Sequence, residues 1–564
     1  MTTLDLAKSW LEQDPDPVTR AELEALIPAA ESGDAVAMDD LRDRFETRLT
    51  FGTAGLRGEL GAGSNRMNRV LVAQAATGFA RWLLDRDEPN SIEPPSVVIG
   101  YDGRVNSDVF ARDSAELMAG SGVRVVLLPR ALPTPVLAFA VRELGLSAGV
   151  MVTASHNPPR DNGYKVYLGG RDGGSQIVAP ADEAIHAAIL AVADTATVDE
   201  LPRSTAYETA GDDLIDRYIT RTAALVTHTP ESAVIEPVSF VYTALHGVGW
   251  EVAQRVFRAA GLGEPTVVAE QIAPDGAFPT VAFPNPEEPG AMDLAFATAR
   301  AVGAELIIAN DPDADRLAVA IPDEAEPAGW RRLSGNAVGA LLGWRAAERL
   351  QREGRHAKFA ASLVSSPALS VVAAAYGVSY SDTLTGFKWI SRVGGLGYGY
   401  EEALGYLVDP DKVRDKDGIS AAVDFLALAG ELKAAGRTLD DHQRDFDERF
   451  GAFASGQVSL RVTDLSRIDA VMTALRDTPP NSVGGVRVNQ VDDFISGFGV
   501  FPPGDILRFW MNGGARIIVR PSGTEPKVKV YIDASCETGS VDERRAAAAT
   551  EVAALEAGMR ALIV

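Results

Sequence analysis

Short apolar runs that end abruptly on stiff polar loops constrain this chain more than any other feature. Gly149-Val150-Met151-Val152 feeds into Thr153-Ala154-Ser155-His156-Asn157-Pro158-Pro159. Ala304-Glu305-Leu306-Ile307-Ile308-Ala309 leads to Asp311-Pro312-Asp313-Ala314-Asp315-Arg316, which Leu317-Ala318-Val319-Ala320-Ile321 follows. Ala515-Arg516-Ile517-Ile518-Val519 leads to Arg520-Pro521-Ser522-Gly523-Thr524-Glu525-Pro526-Lys527. Apolar runs of this length, bounded by Pro, Gly and polar residues, read as buried strands. Helical segments separate them: Pro133-Thr134-Pro135 opens one that runs to about Leu144, and Asn336–Leu350 has helical periodicity. Alternating strands and helices predict an α/β sheet architecture. Open sheets of that kind bind ligands at the carboxyl ends of their strands, which is where these loops fall.

The loops carry chemistry. Ser155 is a candidate nucleophile and His156, beside it, a candidate proton handler. Asp311, Asp313 and Asp315 place three like charges at i, i+2 and i+4 between two apolar strands. Such charges repel strongly in a desolvated site, and a bound cation is the natural compensation. All-oxygen ligands indicate a hard ion, Mg²⁺ by preference, with Ca²⁺ or Mn²⁺ as alternatives. An EF-hand is ruled out because its glycine and glutamate positions hold Arg316 and Pro322. Arg520 supplies a fork-shaped donor matched to phosphate, and Ser522, Gly523 and Thr524 offer hydroxyls and backbone N–H groups to an anion. The P-loop spacing is missing. Gly399-Tyr400-Glu401-Glu402-Ala403-Leu404-Gly405 brackets an acidic pair that can accept hydrogen bonds from hydroxyls, although taken alone it reads better as a solvated turn. Two further segments stay open between a site role and a plain structural one. Asp102-Gly103-Arg104 reads equally as a cleft contact or a turn, and His246 reads best as a loop histidine packed against glycine turns.

Taken together, the serine loop, the Asp triad, the acidic pair and, last along the chain, the Arg520 loop resemble the α-D-phosphohexomutase superfamily, nearest its phosphoglucomutases and phosphomannomutases and the branch that includes phosphopentomutases. Phe51-Gly52-Thr53-Ala54-Gly55-Leu56-Arg57-Gly58 is similar to that family's N-terminal active-site segment, and Asn162-Gly163-Tyr164-Lys165-Val166-Tyr167 to the continuation of its serine loop. Thr385-Gly386-Phe387-Lys388 and Lys416-Asp417-Gly418-Ile419 also fit. The resemblance implies four domains around a central cleft, the first three similar α/β mixed-sheet domains and the last a smaller α+β domain. It implies a phosphoserine at Ser155 and one Mg²⁺ on Asp311, Asp313, Asp315 and a Ser155 phosphate oxygen. Lys165 and His156 would move a hydroxyl proton and Arg57 would stabilise charge. Arg316, Lys388, Glu401, Arg520, Ser522, Gly523 and Thr524 would bind a sugar phosphate, with glucose 1,6-bisphosphate as activator and intermediate. Ala403 stands where glucose-specific members carry Ser, so one sugar hydrogen bond is lost or replaced. The expected preference is glucose first, mannose second and ribose or deoxyribose third. A metal-dependent phosphatase would share the serine and the metal but would not need the Arg520 loop.

Composition narrows partners and place. A chain of 564 residues is long enough for three to five domains. Its expected divisions are 1–208, an N-terminal extension plus the serine domain; 209–325, the metal-binding domain; 326–450, the sugar-recognition domain; and 451–564, the phosphate-binding domain. The extension shows helical periodicity over Leu4–Leu11 and Ala35–Leu49, and the acidic stretch Asp440–Arg449 leads into the last section. A net charge of −25 argues against nucleic acid or anionic membrane as partner, so an anionic substrate requires local concentration of Arg57, Lys165, Arg316, Lys388 and Arg520. The single cysteine, Cys536, excludes an internal disulfide and fits a reducing compartment. With no signal-peptide pattern and no apolar run near about 18 residues, the expectation is a cytoplasmic enzyme, either monomer or homodimer.

Overall fold

A computed structural model describes residues 2–52, 55–86, 94–228, 234–462, 464, 466–522 and 527–563. The chain divides into two compact units, Met1–Leu333 with Gly405–Ala427, and Ser334–Leu404 with Leu428–Val564.

The first unit holds two sheets. In one, strands run in the order Leu56–Glu59, Asp161–Leu168, Ala148–Val152, Ser96–Tyr101, Arg124–Leu127, Glu208–Thr209, with Ser175–Gln176 paired to Asp161–Leu168. Its middle strands are parallel, whereas Asp161–Leu168 is antiparallel to both Ala148–Val152 and Leu56–Glu59. The Asn162–Tyr167 segment is therefore a return strand, not loop. Because the register sets Lys165 against Met151, the lysine comes back beside the strand that delivers Ser155. The second sheet runs Trp330–Arg332, Leu317–Pro322, Leu306–Asn310, Phe240–Thr243, Thr266–Val267. Leu306–Asn310 and Leu317–Pro322 form an antiparallel pair joined by the Asp triad. Every residue of Ala148–Val152 and Leu306–Asn310 is buried, as their unbroken apolar runs require.

The N-terminal extension contains a helix that periodicity alone does not reveal. Between Thr3–Gln13 and Ala35–Phe45 lies Pro17–Glu31. Asp16 caps it by accepting from the Val18 N–H, and Pro17 opens it. The internal Pro28 weakens the sequence signal there. Trp10, Leu23, Ile27, Leu41 and Phe45 share one hydrophobic core with Leu56, Val70 and Val150, so the extension is packed onto the serine-bearing sheet.

In the second unit, strands Ser379–Thr383, Lys358–Ser362 and Leu396–Glu401 lie parallel and adjacent in that order. A six-stranded antiparallel sheet runs Ala452–Arg461, Lys527–Cys536, Arg516–Pro521, Leu507–Met511, Val486–Asp493, Ser482–Val483. The polar stretch at 440–449 is helical. It forms the helix Leu439–Phe450, whose His442, Phe446 and Phe450 are buried, with His442 stacked on Trp344 at 4.4 Å between ring centroids. No helix among the described residues is long and apolar enough to cross a membrane.

Candidate active site

In the first unit the serine loop and the Asp triad come together. Ser155 leaves the end of strand Ala148–Val152 with φ +52°, a left-handed conformation that non-glycine residues avoid unless their surroundings impose it. Its Oγ donates to Asp311 Oδ2 at 2.8 Å. The triad occupies the turn between Leu306–Asn310 and Leu317–Pro322, and Ala314 in that turn is also left-handed, φ +55°. Asp311 Oδ1 accepts from the Arg316 N–H at 3.0 Å, and the Asn310 amide donates to the Arg316 carbonyl at 2.6 Å, which closes the loop. All three carboxylates are fully buried.

Gly247 lets a neighbouring turn meet this loop. A Cβ at Gly247 would lie 2.2 Å from Pro312 Cα and 2.3 Å from Pro312 O, while the Val248 N–H donates to Pro312 O at 2.8 Å. Gly247→Ala is expected to destabilise the protein by about 1–3 kcal/mol through overpacking against backbone that cannot yield. Thermal unfolding tests this, and an unchanged melting curve contradicts it.

Buried charge is offset locally. The Lys165 ammonium contacts Asp313 Oδ2 at 2.7 Å and Asp315 Oδ2 at 2.9 Å. Lys416 reaches Asp315 at 3.1 Å, and Arg316 lies 3.8 Å from Asp311 and 3.7 Å from Asp315. Thr134 donates to Asp313 Oδ2 at 2.6 Å. The three carboxyls are driven apart as a result. Burial, reinforced by Asp313 and Asp315, pushes Asp311 well above the ordinary carboxylate range. Burial also raises the cost of charge on Asp313 and Asp315, but Lys165, with Thr134 for the former and Lys416 for the latter, holds both below the ordinary value. Burial, helped by the nearby Arg316 and Arg57 guanidinium groups, keeps His156 neutral, far below its usual pKa. Among the described residues its Nδ1 has no hydrogen-bond partner. Arg57, on strand Leu56–Glu59, donates to the Asn157 side chain at 3.2 Å and so flanks the same loop.

The triad suits a hard divalent cation. One oxygen from each of Asp311, Asp313 and Asp315 lies within 4.8 Å of the others. Oδ1 of Asp313 and Oδ1 of Asp315 are buried without a hydrogen-bond partner among the described residues. Orphaned buried carboxylate oxygens are costly, and a cation coordinated by them removes that cost.

In the second unit, Glu401 is buried at the end of strand Leu396–Glu401. Its neighbour Glu402 is tied into the scaffold: Ser362 and Ser365 hydroxyls donate to its Oε2 at 2.9 and 3.0 Å, and its own N–H donates to Ser365 Oγ at 3.0 Å. Lys388 sits in the short helix Phe387–Ile390, entered through Gly386 at φ +105°. Arg520 lies near the end of strand Arg516–Pro521, in register with Lys529 of the neighbouring strand. The Ser522 N–H donates to the Lys527 carbonyl at 2.8 Å. Gly523 and Thr524, like Thr53 and Ala54, lie outside the described residues.

The open segments also find their places. His246 bonds Thr280 Oγ1 at 2.8 Å and packs on Phe278, a structural role in agreement with its reading as a loop histidine. Arg104 is fully buried and bound to the backbone of the serine loop, which a simple turn does not explain. Thr134 joins the site through a tertiary contact that no local spacing announces, and Lys416, whose segment fits the family resemblance, reaches Asp315 in the same way.

Comparison with known proteins agrees with this geometry. Four family models match in order: phosphoglucomutase/phosphomannomutase alpha/beta/alpha domain I over residues 48–195, domain II over 216–324, domain III over 334–449 and the C-terminal domain over 459–551. A probable phosphomannomutase from Haemophilus influenzae is 56% identical over 83% of this chain and 93% of its own length. A phosphopentomutase from Mus musculus is 34% identical over 94% of this chain and 90% of its own. The crystal structure of a putative phosphomannomutase from Thermus thermophilus shares the fold with a TM-score of 0.67, covering 92% of this chain and 99% of that one at 24% identity. With all four domains present in order, and relatives alike over almost their whole length, this chain belongs to the phosphoglucomutase/phosphomannomutase family and is an intramolecular phosphotransferase of that α/β, four-domain class.

Proposed function

We propose that the enzyme moves phosphate between the 1- and 6-positions of a hexose through a phosphoserine at Ser155, with glucose 1-phosphate and glucose 6-phosphate as the first-choice pair. The observation that carries this reading is the Ser155 hydroxyl, 2.8 Å from Asp311 in a buried cluster of three carboxylates and a lysine.

In this reading Ser155 carries the transferable phosphoryl group. The O–P bond to Ser155 breaks as a sugar hydroxyl oxygen bonds to phosphorus, giving a hexose bisphosphate. Ser155 then takes the other phosphate back. The proton released by the sugar hydroxyl passes to His156, whose Nδ1 is uncommitted among the described residues. The Lys165 ammonium, held by Asp313 and Asp315, gives a proton to the departing Ser155 oxygen so that it leaves as the hydroxyl. The return transfer runs these proton movements in reverse. Arg57 and Arg316 offset developing negative charge. Asp311, Asp313 and Asp315, with a phosphoserine oxygen, would hold one Mg²⁺, which supplies Lewis-acid withdrawal of charge from the phosphoryl group. We assign the substrate's phosphate to Arg520, Ser522, Gly523 and Thr524, and its hydroxyls to Glu401 and Lys388. Glucose 1,6-bisphosphate serves as activator.

A specific observation favours a second substrate class. Ala403 follows the two glutamates and offers no side-chain hydrogen bond, and the relatives described above bear mannose and pentose names. ³¹P NMR with Mg²⁺, a trace of glucose 1,6-bisphosphate and, separately, glucose, mannose and ribose 1-phosphates decides among them. Conversion of glucose 1-phosphate to the 6-phosphate is the expected result. Preferential conversion of mannose or ribose 1-phosphate would reassign the sugar, and inorganic phosphate without any isomer would replace the mutase with a phosphatase.

A further inference from the structure

We propose that Asp102, Arg104 and Thr153 form a clamp that holds Ser155 in its left-handed, reactive conformation, making them positioning residues for phosphoryl transfer. The inference rests on Ser155 being the phosphoryl carrier.

The clamp grips both backbone groups of the serine. On one side Asp102 Oδ2 accepts from Thr153 Oγ1 at 2.6 Å, and that same Oγ1 accepts from the Ser155 N–H at 2.8 Å. On the other side Arg104 Nη2 donates to the Ser155 carbonyl at 2.7 Å and the Asn157 carbonyl at 2.6 Å, while its Nη1 donates to the carbonyls of Pro158 at 2.8 Å and Asp161 at 2.9 Å. One guanidinium therefore gathers four carbonyls, three of the serine loop and one at the start of the strand that follows it, a task that its rigid planar fork suits and an ammonium does not.

The two halves are joined. Asp102 Oδ1 accepts from the Arg104 N–H at 3.0 Å and from Ser107 Oγ at 2.7 Å, and the Asp102 and Arg104 side chains, both fully buried, lie 3.6 Å apart. The Arg104 guanidinium also lies 4.9 Å over the Phe278 ring, which closes it from behind. None of these groups reaches the Ser155 hydroxyl. What they fix is the backbone at φ +52°, and with it the direction of Oγ toward Asp311. A reactive oxygen displaced by about 1 Å costs on the order of 10²-fold in rate, so the clamp's contribution belongs in the transfer step and not in sugar affinity.

The test uses the full chain, dephosphorylated, with Mg²⁺ and ³²P-labelled glucose 1,6-bisphosphate, following single-turnover label uptake by wild type, Thr153→Val and Thr153→Ser, alongside KM and thermal melting. Thr153→Val keeps shape but loses the bridging hydroxyl. Its label uptake is expected to slow by about 10–10²-fold with KM within about twofold of wild type, and Thr153→Ser to restore the rate. Uptake by Thr153→Val at the wild-type rate, a Thr153→Ser variant as slow as Thr153→Val, or a loss wholly in KM overturns the clamp. If Thr153→Val does not fold, Arg104→Lys replaces it: slowed uptake at unchanged KM is expected, and a wild-type rate overturns the proposal. A wild-type enzyme that takes up no label removes the phosphoserine reading and the clamp with it. Labelled wild type beside an unaffected variant removes the clamp alone.

Discussion

Ser155→Ala is expected to lower turnover by on the order of 10⁴-fold or more, the scale seen when an enzyme loses its covalent nucleophile, with the fold intact. No neighbouring group can substitute. The nearest hydroxyl in the loop, that of Thr153, is bound on one side to Asp102 and on the other to the Ser155 N–H. The stability change should stay within about 1 kcal/mol, because among the described residues the side chain makes a single hydrogen bond, to Asp311, and alanine bears a left-handed backbone no worse than serine does. Steady-state turnover, with melting temperature as a control for folding, measures both. A Ser155→Ala enzyme of near-normal activity would place the phosphoryl group elsewhere and end the scheme.

The parts of this site that were legible in the sequence share one property: their signal is local. A buried apolar run ending on a polar loop is visible within ten residues, so the strands before Ser155, Asp311 and Arg520 could be placed, and the triad's own charge repulsion announced a cation. The opaque parts depend on contacts between distant segments. Arg104 acts on carbonyls 51 to 57 positions away, and Thr134 bonds Asp313 across 179 positions. A left-handed serine is likewise unreadable, since serine is no better suited to φ +52° than its neighbours, and only the groups gripping its backbone impose that geometry. The acidic pair shows the same limit. Glu401 and Glu402 are indistinguishable in sequence, and nothing local shows that Ser362 and Ser365, about 40 positions away, bind the Glu402 carboxylate. The helix Pro17–Glu31 was hidden for a different reason: a proline at its start favours a helix while Pro28 within it argues against one, and burial against the core settles the matter.

Lys165→Met should produce the largest loss of stability, about 3–5 kcal/mol in metal-free buffer, because it strips the partner from carboxylates that remain buried. The two carboxylates are not affected equally. Asp315 keeps Lys416 at 3.1 Å and Arg316 at 3.7 Å. Asp313 keeps only the Thr134 hydroxyl among its close partners on the described residues, so most of the cost falls there. A divalent cation held by the triad would replace the missing positive charge. Added Mg²⁺ is therefore expected to raise the melting temperature of Lys165→Met by more than it raises that of the wild type, whose ammonium already offsets part of the charge, since a ligand stabilises in proportion to its affinity for the folded state. Turnover should stay low even with Mg²⁺ present, because the cation restores charge balance at Asp313 and Asp315 without restoring the lysine's proton. Denaturant and thermal unfolding in EDTA and in Mg²⁺ separate the two effects. Wild-type stability of Lys165→Met in EDTA would mean that Asp313 does not carry buried charge, and a melting temperature indifferent to Mg²⁺ in both proteins would mean that the triad is not the cation's seat.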